Sequence, residues 1–280
     1  MTGNTLGWVI VAFVLYLLMM IAIGAFYAKG NNNSEDYFLG GRKLNGFVAA
    51  LSAQASDMSG WLLMGLPGAI YLTGVGGDGW IAIGLFIGTT LNWLFIATKL
   101  RRYTIRANNS VTLPTYFENR FHDEKKVLMA VSSITIVVFF LVYCASALSA
   151  GGQLFESVFG IDYHVALTIG ALVVLVYTFL GGFTAVCVTD FIQGMLMLVG
   201  ILAVPLFAYH FLTTGGTTLS AGLEASGADS ANFLNLMKNG DGSNNIISVI
   251  SGLGWGLGYF GMPHILVRFM AVREEKEMTK

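Results

Sequence analysis

The sequence has few charged residues, few cysteines and few histidines. Charged residues make up 11% of the 280 positions and hydrophobic residues 55%, with a mean hydropathy of +0.69. That balance excludes a soluble globular domain. Cys144 and Cys187 fall in or beside apolar stretches, so they support neither a disulfide framework nor a metal site. The four scattered histidines lack the spacing of metal ligands.

Seven apolar runs, each about the length of a membrane span, recur along the chain. Because the runs are continuous rather than alternating, they predict membrane-spanning helices. The first lacks a basic flank and a small-x-small cleavage site, so it is expected to be a retained span. The runs cover residues 8–26, 44–73, 80–97, 127–150, 165–180, 191–212 and 246–267.

The basic residues predict the orientation of these spans. Fourteen of the fifteen Lys and Arg residues fall on the loops after the first, third and seventh runs, and only Lys238 lies elsewhere. Since Lys and Arg concentrate on cytoplasmic loops, the N-terminus is expected outside. The basic residues of 101–126 are expected to contact only water and lipid headgroups.

Two of the runs are interrupted. The run 44–73 carries Asp57 at its centre, and a carboxylate at that depth costs about 2.5–3.5 kcal/mol on insertion scales. A bound cation, a cationic substrate group or a water-filled cavity would offset that cost. Asp57 could also cap a second half-helix, and the two roles are compatible.

The run 246–267 holds five glycines followed by Pro263. Its glycines favour either close packing against a neighbouring helix or an unwound segment. Two interrupted spans, five spans apart, indicate an inverted-repeat transporter with a site at the membrane midplane. The glycines are Gly252, Gly254, Gly256, Gly258 and Gly261.

Five segments carry a resemblance to a known family. They read YFLGGR at 37–42, SAQASDMSGWLLMGLPGA at 52–69, YCAS at 143–146, TFLGGF at 178–183 and GWGLGYFG at 254–261. In this order they resemble the proline-transporting branch of the sodium:solute symporter family. The resemblance covers nearly all of the chain outside residues 213–245.

The resemblance implies an all-α polytopic membrane protein with the LeuT-type fold of five plus five inverted helices. Residues 1–280 would form a single transmembrane domain. Within it, 8–26 is an extra N-terminal span, 44–212 the first five-helix repeat and 246–267 the first helix of the second repeat. The other helices of that repeat are absent, so we expect an N-terminal portion that does not transport alone.

The function implied by the resemblance is sodium-coupled uptake of L-proline across the bacterial cytoplasmic membrane, in contact with membrane lipids. Sodium, the co-transported ion, would bind the backbone carbonyls of Ala55 and Met58, with Asp57 adding negative charge nearby. Asp190 would act in sodium coupling and Arg42 at the inner mouth. From the residues alone, Asp190 could be a helix N-cap and Arg42 a positive-inside anchor.

The proline site implied by the resemblance begins where the second half-helix starts. Free amides at Ser59 and Gly60 would receive the substrate carboxylate. The remaining residues would line the cavity around the apolar ring, although ordinary helix packing would also explain aromatic residues there. They are Trp61, Tyr143, Trp255, Tyr259 and Pro263.

Three other functions are weighed against this one. The same family could carry another solute, such as a sugar, a vitamin or an inorganic anion. A seven-helix receptor or photoreceptor also has seven spans, but a retinal protein needs a lysine in its last span and 246–267 has none. An enzyme is disfavoured because the sequence shows no nucleophile–base pair and no metal cluster.

Overall fold

The computed structural model describes residues 3–279, and these are predominantly helical. The π-helical turns Trp61–Gly65 and Trp93–Ala97 and the 3-10 segments Gly40–Arg42, Gly256–Gly261 and Glu275–Thr279 lie between or after the α-helices. The α-helices are α1 Gly3–Ala28, α2 Ser34–Leu39, α3 Gly46–Asp57, α4 Leu66–Thr73, α5 Val75–Asn92, α6 Thr98–Arg106, α7 Leu113–Phe121, α8 Val127–Phe159, α9 Tyr163–Thr214, α10 Leu219–Ala225, α11 Ser230–Phe233, α12 Ile246–Trp255 and α13 Pro263–Ala271.

Four helical stretches of the described residues are long and apolar enough to cross a membrane. A fifth candidate consists of Ile246–Gly261 and Pro263–Ala271, which are bent by 47°. The protein is therefore a multi-pass membrane protein, as its composition predicts. The four continuous stretches are Gly7–Ala28, Val75–Arg106, Val127–Phe159 and Tyr163–Thr214.

The predicted run 44–73 is divided where the sequence predicts unwinding. Helix α3 ends at Asp57, Met58 and Ser59 are not helical, and the helix resumes at Gly60. The π-helical turn Trp61–Gly65 then leads into α4. A proline lies within the first turn of α4, where its missing N–H removes one helical hydrogen bond.

The predicted runs 165–180 and 191–212 are joined in one helix of 52 residues, α9. At 1.5 Å per residue that helix would be roughly 78 Å long, more than twice the thickness of a hydrocarbon core. Gly182 divides it, because its φ of 61° and ψ of −158° are not helical. Glycine accepts this left-handed φ without a steric penalty. The long helix thus holds the two predicted spans on either side of Gly182.

The predicted interruption of 246–267 is present. After α12 the chain forms the 3-10 segment Gly256–Gly261, and Met262 is extended with φ −74° and ψ 108°. Helix α13 starts at Pro263, a position that needs no helical N–H. The sequence therefore predicts both breaks correctly.

The five glycines of this segment differ in what surrounds them, and only some of them fit the explanation by close helix packing. A methyl group on Gly256 would lie 2.2 Å from the carbonyl oxygen of Gly84, and one on Gly252 would lie 2.7 Å from backbone atoms of Trp80. Gly252 in α12 and Gly256 at the start of the 3-10 segment therefore permit close packing on α5. By contrast, a methyl group on Gly254, Gly258 or Gly261 would meet no atom within 4 Å.

The contacts divide the chain into two compact units. The first contains the chain up to Ser56, Thr98–Ile192 and the chain from Pro263 onward. The second contains Asp57–Ala97 and Gln193–Met262. The predicted site residues belong to both units, and each unit is described separately.

Candidate functional site

In the second unit, Asp57 lies at the break that follows α3. The Tyr259 hydroxyl donates a hydrogen bond to Asp57 Oδ2. Tyr259 is 4% exposed and belongs to the 3-10 segment after α12. A residue from one interrupted run thus bonds the carboxylate of the other. Asp57 and Tyr259 were both predicted as site residues, and the structure brings them together.

The backbone of Tyr259 is itself held from α5. Asn92 Nδ2 donates to the Tyr259 carbonyl oxygen at 2.9 Å, and the Asn92 side chain is fully buried. This bond satisfies a carbonyl in a segment without regular α-helical hydrogen bonds. Asn92 therefore fixes the segment that carries the Asp57 partner.

Trp61 and Trp255 stack on each other beside the same break. Their ring centroids are 5.7 Å apart and the rings are inclined by 18°. The two residues are 42% and 46% exposed, so this pair does not belong to a buried core. The stack is an aromatic surface at the start of the resumed helix.

The predicted amide positions lie at the helix restart. Ser59 N donates to the Asp57 carbonyl at 2.8 Å, and the Ser59 carbonyl accepts from Leu63 N at 3.2 Å. Gly60 is helical, with φ −56° and ψ −32°. Ser59 is thus the last residue of the break, and Met58 lies inside it.

In the first unit, Asp190 and Arg268 form a buried ion pair. Arg268 Nη2 lies 2.8 Å from Asp190 Oδ2, and the side chains are 6% and 11% exposed. The hydroxyl groups of Ser52 and Ser56 donate to the same carboxylate oxygen at 2.7 and 3.1 Å. Asp190 lies well inside α9, so the N-cap alternative is wrong.

The same arginine also bonds both serines of α3. Arg268 Nε donates to Ser52 Oγ at 2.9 Å and Nη2 donates to Ser56 Oγ at 2.6 Å. Arg268 Nη1 also donates to the His264 carbonyl, and the guanidinium carbon lies 5.7 Å from the centroid of the Phe183 ring. Each buried charge therefore has an opposite charge and further hydrogen-bond partners, the condition under which charges are tolerated inside a membrane.

Two predicted residues meet at the last turn of α3. Ala55 belongs to this turn, and Tyr143 of α8 contacts it. Ala55 is 8% exposed, and its carbonyl is among the last four of the helix, which have no partner within the helix. The Tyr143 hydroxyl donates to the neighbouring Ser56 carbonyl at 3.4 Å. Tyr143 also stacks on His264, with ring centroids 5.6 Å apart.

Pro263 and Arg42 occupy other parts of the first unit. Pro263 lines a cavity of about 420 Å³ with Phe38, Leu113 and Val267 among its neighbours. Arg42 is 7% exposed and is not brought to the Asp190 cluster. These two predicted residues therefore lie apart from the buried ion pair.

Arg42 is buried, not exposed, and it bonds three other parts of the chain. Its guanidinium pairs with Glu35 at 3.0 Å and donates to the carbonyls of Met270 and Ser110 at 2.7 and 2.8 Å. Burial lowers the pKa of Arg42 from its ordinary value, and Glu35 opposes that shift. These contacts join the loop before α3 to α13 and to the loop after α6.

Arg268, Ser52 and Asn92 are not among the site residues that the sequence predicts. Arg268 directly follows the last apolar run, so it was counted only as one of the basic residues that set orientation. Ser52 and Ser56 are four residues apart and lie on one face of a helix, a spacing that could have indicated a shared polar partner. Asn92 is a lone amide inside an apolar run, which is a signal for a buried contact.

Comparison with known proteins identifies the family. Residues 37–280 match the family model described as Sodium:solute symporter family. The chain belongs to the sodium:solute symporter family. This membership excludes the receptor alternative and places the chain in a family of membrane transporters.

Curated relatives of this symporter-family chain carry the names of proline transporters. The sodium/proline symporter of Salmonella typhimurium is 48% identical over 262 residues, which cover 94% of this chain and 50% of the relative. The sodium/proline symporter of Escherichia coli is 47% identical with the same coverage. The high-affinity proline transporter PutP of Bacillus subtilis is 47% identical over 93% of this chain and 53% of the relative. The chain spans about half the length of these relatives.

A solved structure shares the fold. A Na+-coupled sialic acid symporter, in a substrate-bound outward-open state, matches with a TM-score of 0.74 and 20% identity. The match covers 94% of this chain and 54% of the other. The helical LeuT-type transporter fold predicted from the sequence is thereby confirmed.

Proposed function

We propose that this chain forms part of a symporter that couples the entry of sodium to the uptake of L-proline across the bacterial cytoplasmic membrane. The observation that carries the proposal is the helix break directly after Asp57, whose carboxylate is bonded by Tyr259 from the second interrupted run. The names and the 47–48% identity of the relatives support proline as the substrate.

Sodium is the proposed co-transported ion. As a hard cation it prefers oxygen ligands, and an interrupted helix offers backbone carbonyls at a depth where regular helices do not. We assign the carbonyls of Ala55 and Met58 as ligands. Asp57 supplies negative charge nearby, and Tyr259 orients its carboxylate.

The proposed proline site uses the start of the resumed helix. The Gly60 amide, at the positive end of the helix dipole, would receive the substrate carboxylate. The Ser59 amide is not free as expected from the sequence, because it donates to the Asp57 carbonyl at 2.8 Å, so it would bind the carboxylate only by giving up that bond. The stacked rings of Trp61 and Trp255 offer an apolar surface for the pyrrolidine ring. We also assign Tyr143, Tyr259 and Pro263 to the substrate.

Asp190 and Arg42 are the proposed coupling and gating residues. Asp190 bonds Ser56, the residue before Asp57, so a change at Asp190 is transmitted to the last turn of α3. Arg42 joins the loop before α3 to the carbonyl of Met270 at the end of α13. Both residues therefore contact the helices that flank the breaks.

The proposed organisation is a single transmembrane domain. Residues 8–26 form an extra span, 44–212 the first five-helix repeat and 246–267 the first helix of a second repeat. In that arrangement the interrupted helices occupy equivalent positions of the two repeats. A complete sodium site in this arrangement would also include ligands from the rest of the second repeat.

Such transport needs no covalent chemistry, so we propose that the protein is not an enzyme. One sodium ion crossing about 100 mV releases roughly 2.3 kcal/mol, and a tenfold gradient adds about 1.4 kcal/mol. Together these support a few-hundred-fold accumulation of a zwitterion. Sodium must bind the outward-open state more tightly, because a ligand shifts only an equilibrium between states that it binds unequally.

The test is uptake of labelled L-proline into membrane vesicles under an inward sodium gradient. The 280-residue chain is compared with a completed chain, in which it is joined to the C-terminal half of the Salmonella typhimurium relative. Sodium-dependent uptake of proline by the completed chain is the expected result. Uptake of another solute but not of proline by the completed chain would overturn the proposed substrate. Uptake by the 280-residue chain would show that ligands from the rest of the second repeat are not needed.

A further inference from the structure

The segment after α13 lies against the start of α3. Leu44 N donates to the Ala271 carbonyl at 3.1 Å, and Arg273 N donates to the Leu44 carbonyl at 2.8 Å. These bonds form a parallel β-bridge between Leu44 and Val272, and Val272 is fully buried. We call residues 271–277 the strap.

The strap reaches the first amide of α3 through Glu277. Gly46 N donates to Glu277 Oε2 at 3.1 Å. The first amides of a helix have no partner within it, and a carboxylate there interacts favourably with the helix dipole. A methyl group on Gly46 would lie 2.4 Å from the Glu277 carbonyl oxygen, so glycine is what allows this approach.

Glu277 is itself held in position. Its carboxylate pairs with Arg273, four residues earlier on the strap, and its side chain is 11% exposed. The α3 start has a second partner in Asn45, whose Oδ1 accepts from Phe47 N at 2.8 Å. Glu277 is thus an additional partner for α3 that the local sequence does not supply.

Helix α6 holds the other side of the strap. Arg101 is 6% exposed, and its Nη2 donates to the Arg273 carbonyl at 3.3 Å while its Nε donates to the Val272 carbonyl. Arg102 pairs with Glu275 at 2.6 Å. The expectation that these arginines contact only water and headgroups is wrong. It considered the charges of the arginines alone, whereas folding brings backbone carbonyl groups to Arg101 and Glu275 to Arg102.

We propose that the strap is a releasable latch on the inner half of α3, and that Glu277 is the positioning residue that sets the orientation of this helix. The inference rests on the proposed function, because a symporter must open the site at the end of α3 alternately to the two sides of the membrane. The strap bonds the first residues of α3, so α3 cannot tilt away while the strap is in place. Its contacts are hydrogen bonds and partly exposed ion pairs, which can break and re-form during a transport cycle.

The first experiment locks the strap. Leu44→Cys and Val272→Cys are introduced into the completed chain after Cys144→Ser and Cys187→Ser, and a disulfide is formed by mild oxidation. The latch predicts at least a tenfold loss of sodium-dependent proline uptake, fully restored by a reductant. Uptake by the oxidised protein at the rate of the reduced protein would overturn the latch. Absence of uptake in the reduced protein would instead count against the proposed function.

The second experiment needs no transport and uses the 280-residue chain in vesicles. Position 49 is fully buried on α3. In the cysteine-free background, the accessibility of the cysteine in Ala49→Cys therefore reports whether α3 stays packed in its observed position. Glu277→Gln is compared with Glu274→Gln, an equal charge change at an exposed neighbour. We expect a maleimide to modify the cysteine several-fold faster with Glu277→Gln, and Glu277→Asp to restore slow modification. Equal rates in the two glutamine variants would overturn the role of Glu277.

Discussion

The Tyr259 hydroxyl donates a hydrogen bond to the Asp57 carboxylate, while the Tyr259 carbonyl accepts one from Asn92. One tyrosine thus binds the acidic residue of the first interrupted run and is fixed by an amide of α5. A carboxylate held in this way keeps a defined orientation at the helix break. This arrangement leads to the first prediction.

Tyr259→Phe in the completed chain removes the hydroxyl but keeps the ring. A hydrogen bond to a charged group contributes about 1.5–3 kcal/mol, so the sodium concentration for half-maximal proline uptake should rise by about tenfold or more. The control is Tyr71→Phe, at a residue that is 68% exposed. An equal sodium requirement in the two variants would show that Tyr259 does not orient the Asp57 carboxylate for sodium binding.

We expect the stability of the folded chain to depend strongly on both Asp190 and Arg268. Removing one member of a buried pair costs about 3–5 kcal/mol because the other charge is left uncompensated. Arg268→Ala should therefore lower the thermal unfolding midpoint of the purified chain. The exposed Arg106→Ala should not.

The double variant Arg268→Met with Asp190→Leu provides the decisive comparison for this pair. Removing both charges leaves no buried ion without a partner, so the double variant should be more stable than either single variant. Strictly additive losses in unfolding midpoint would contradict a direct pair. The readout is thermal unfolding in detergent, followed by light scattering and tryptophan fluorescence.

Gly256, at the start of the 3-10 segment, and Gly254, in the last turn of α12, form a matched pair for testing how this part of the chain packs on α5. A methyl group on Gly256 would lie 2.2 Å from the Gly84 carbonyl oxygen, whereas one on Gly254 has open space. Overpacking costs about 1–3 kcal/mol, so Gly256→Ala should lower the unfolding midpoint and Gly254→Ala should leave it equal or higher. Similar effects of the two substitutions would show that this contact does not determine the packing.

Features encoded by neighbouring residues were predictable from the sequence. Asp57 inside an apolar run, and glycines followed by Pro263, disfavour a continuous helix through local chemistry alone. Both breaks could therefore be located before the structure. The separate functions of Gly254 and Gly256 could not, because they depend on whether Gly84 of another helix lies opposite.

Features that depend on distant parts of the chain were not predictable from composition or periodicity. Arg268 was interpreted as a basic residue that sets membrane orientation, but it pairs with Asp190, 78 positions earlier. The backbone break at Gly182 occurs in a helix whose flanking runs were expected to be separate. Arg101 is buried against carbonyls that lie more than 170 residues away.

The most direct test of the central claim compares Asp57→Asn with Asp78→Asn in the completed chain. Asp78 lies in the first turn of α5 and accepts a bond from Thr73, so it controls for the loss of a carboxylate. Initial rates of proline uptake are measured over a range of sodium concentrations at fixed proline. If Asp57 supplies the charge for sodium binding, Asp57→Asn should raise the half-maximal sodium concentration by at least tenfold and Asp78→Asn should leave it unchanged. An unchanged sodium dependence in Asp57→Asn would contradict the account.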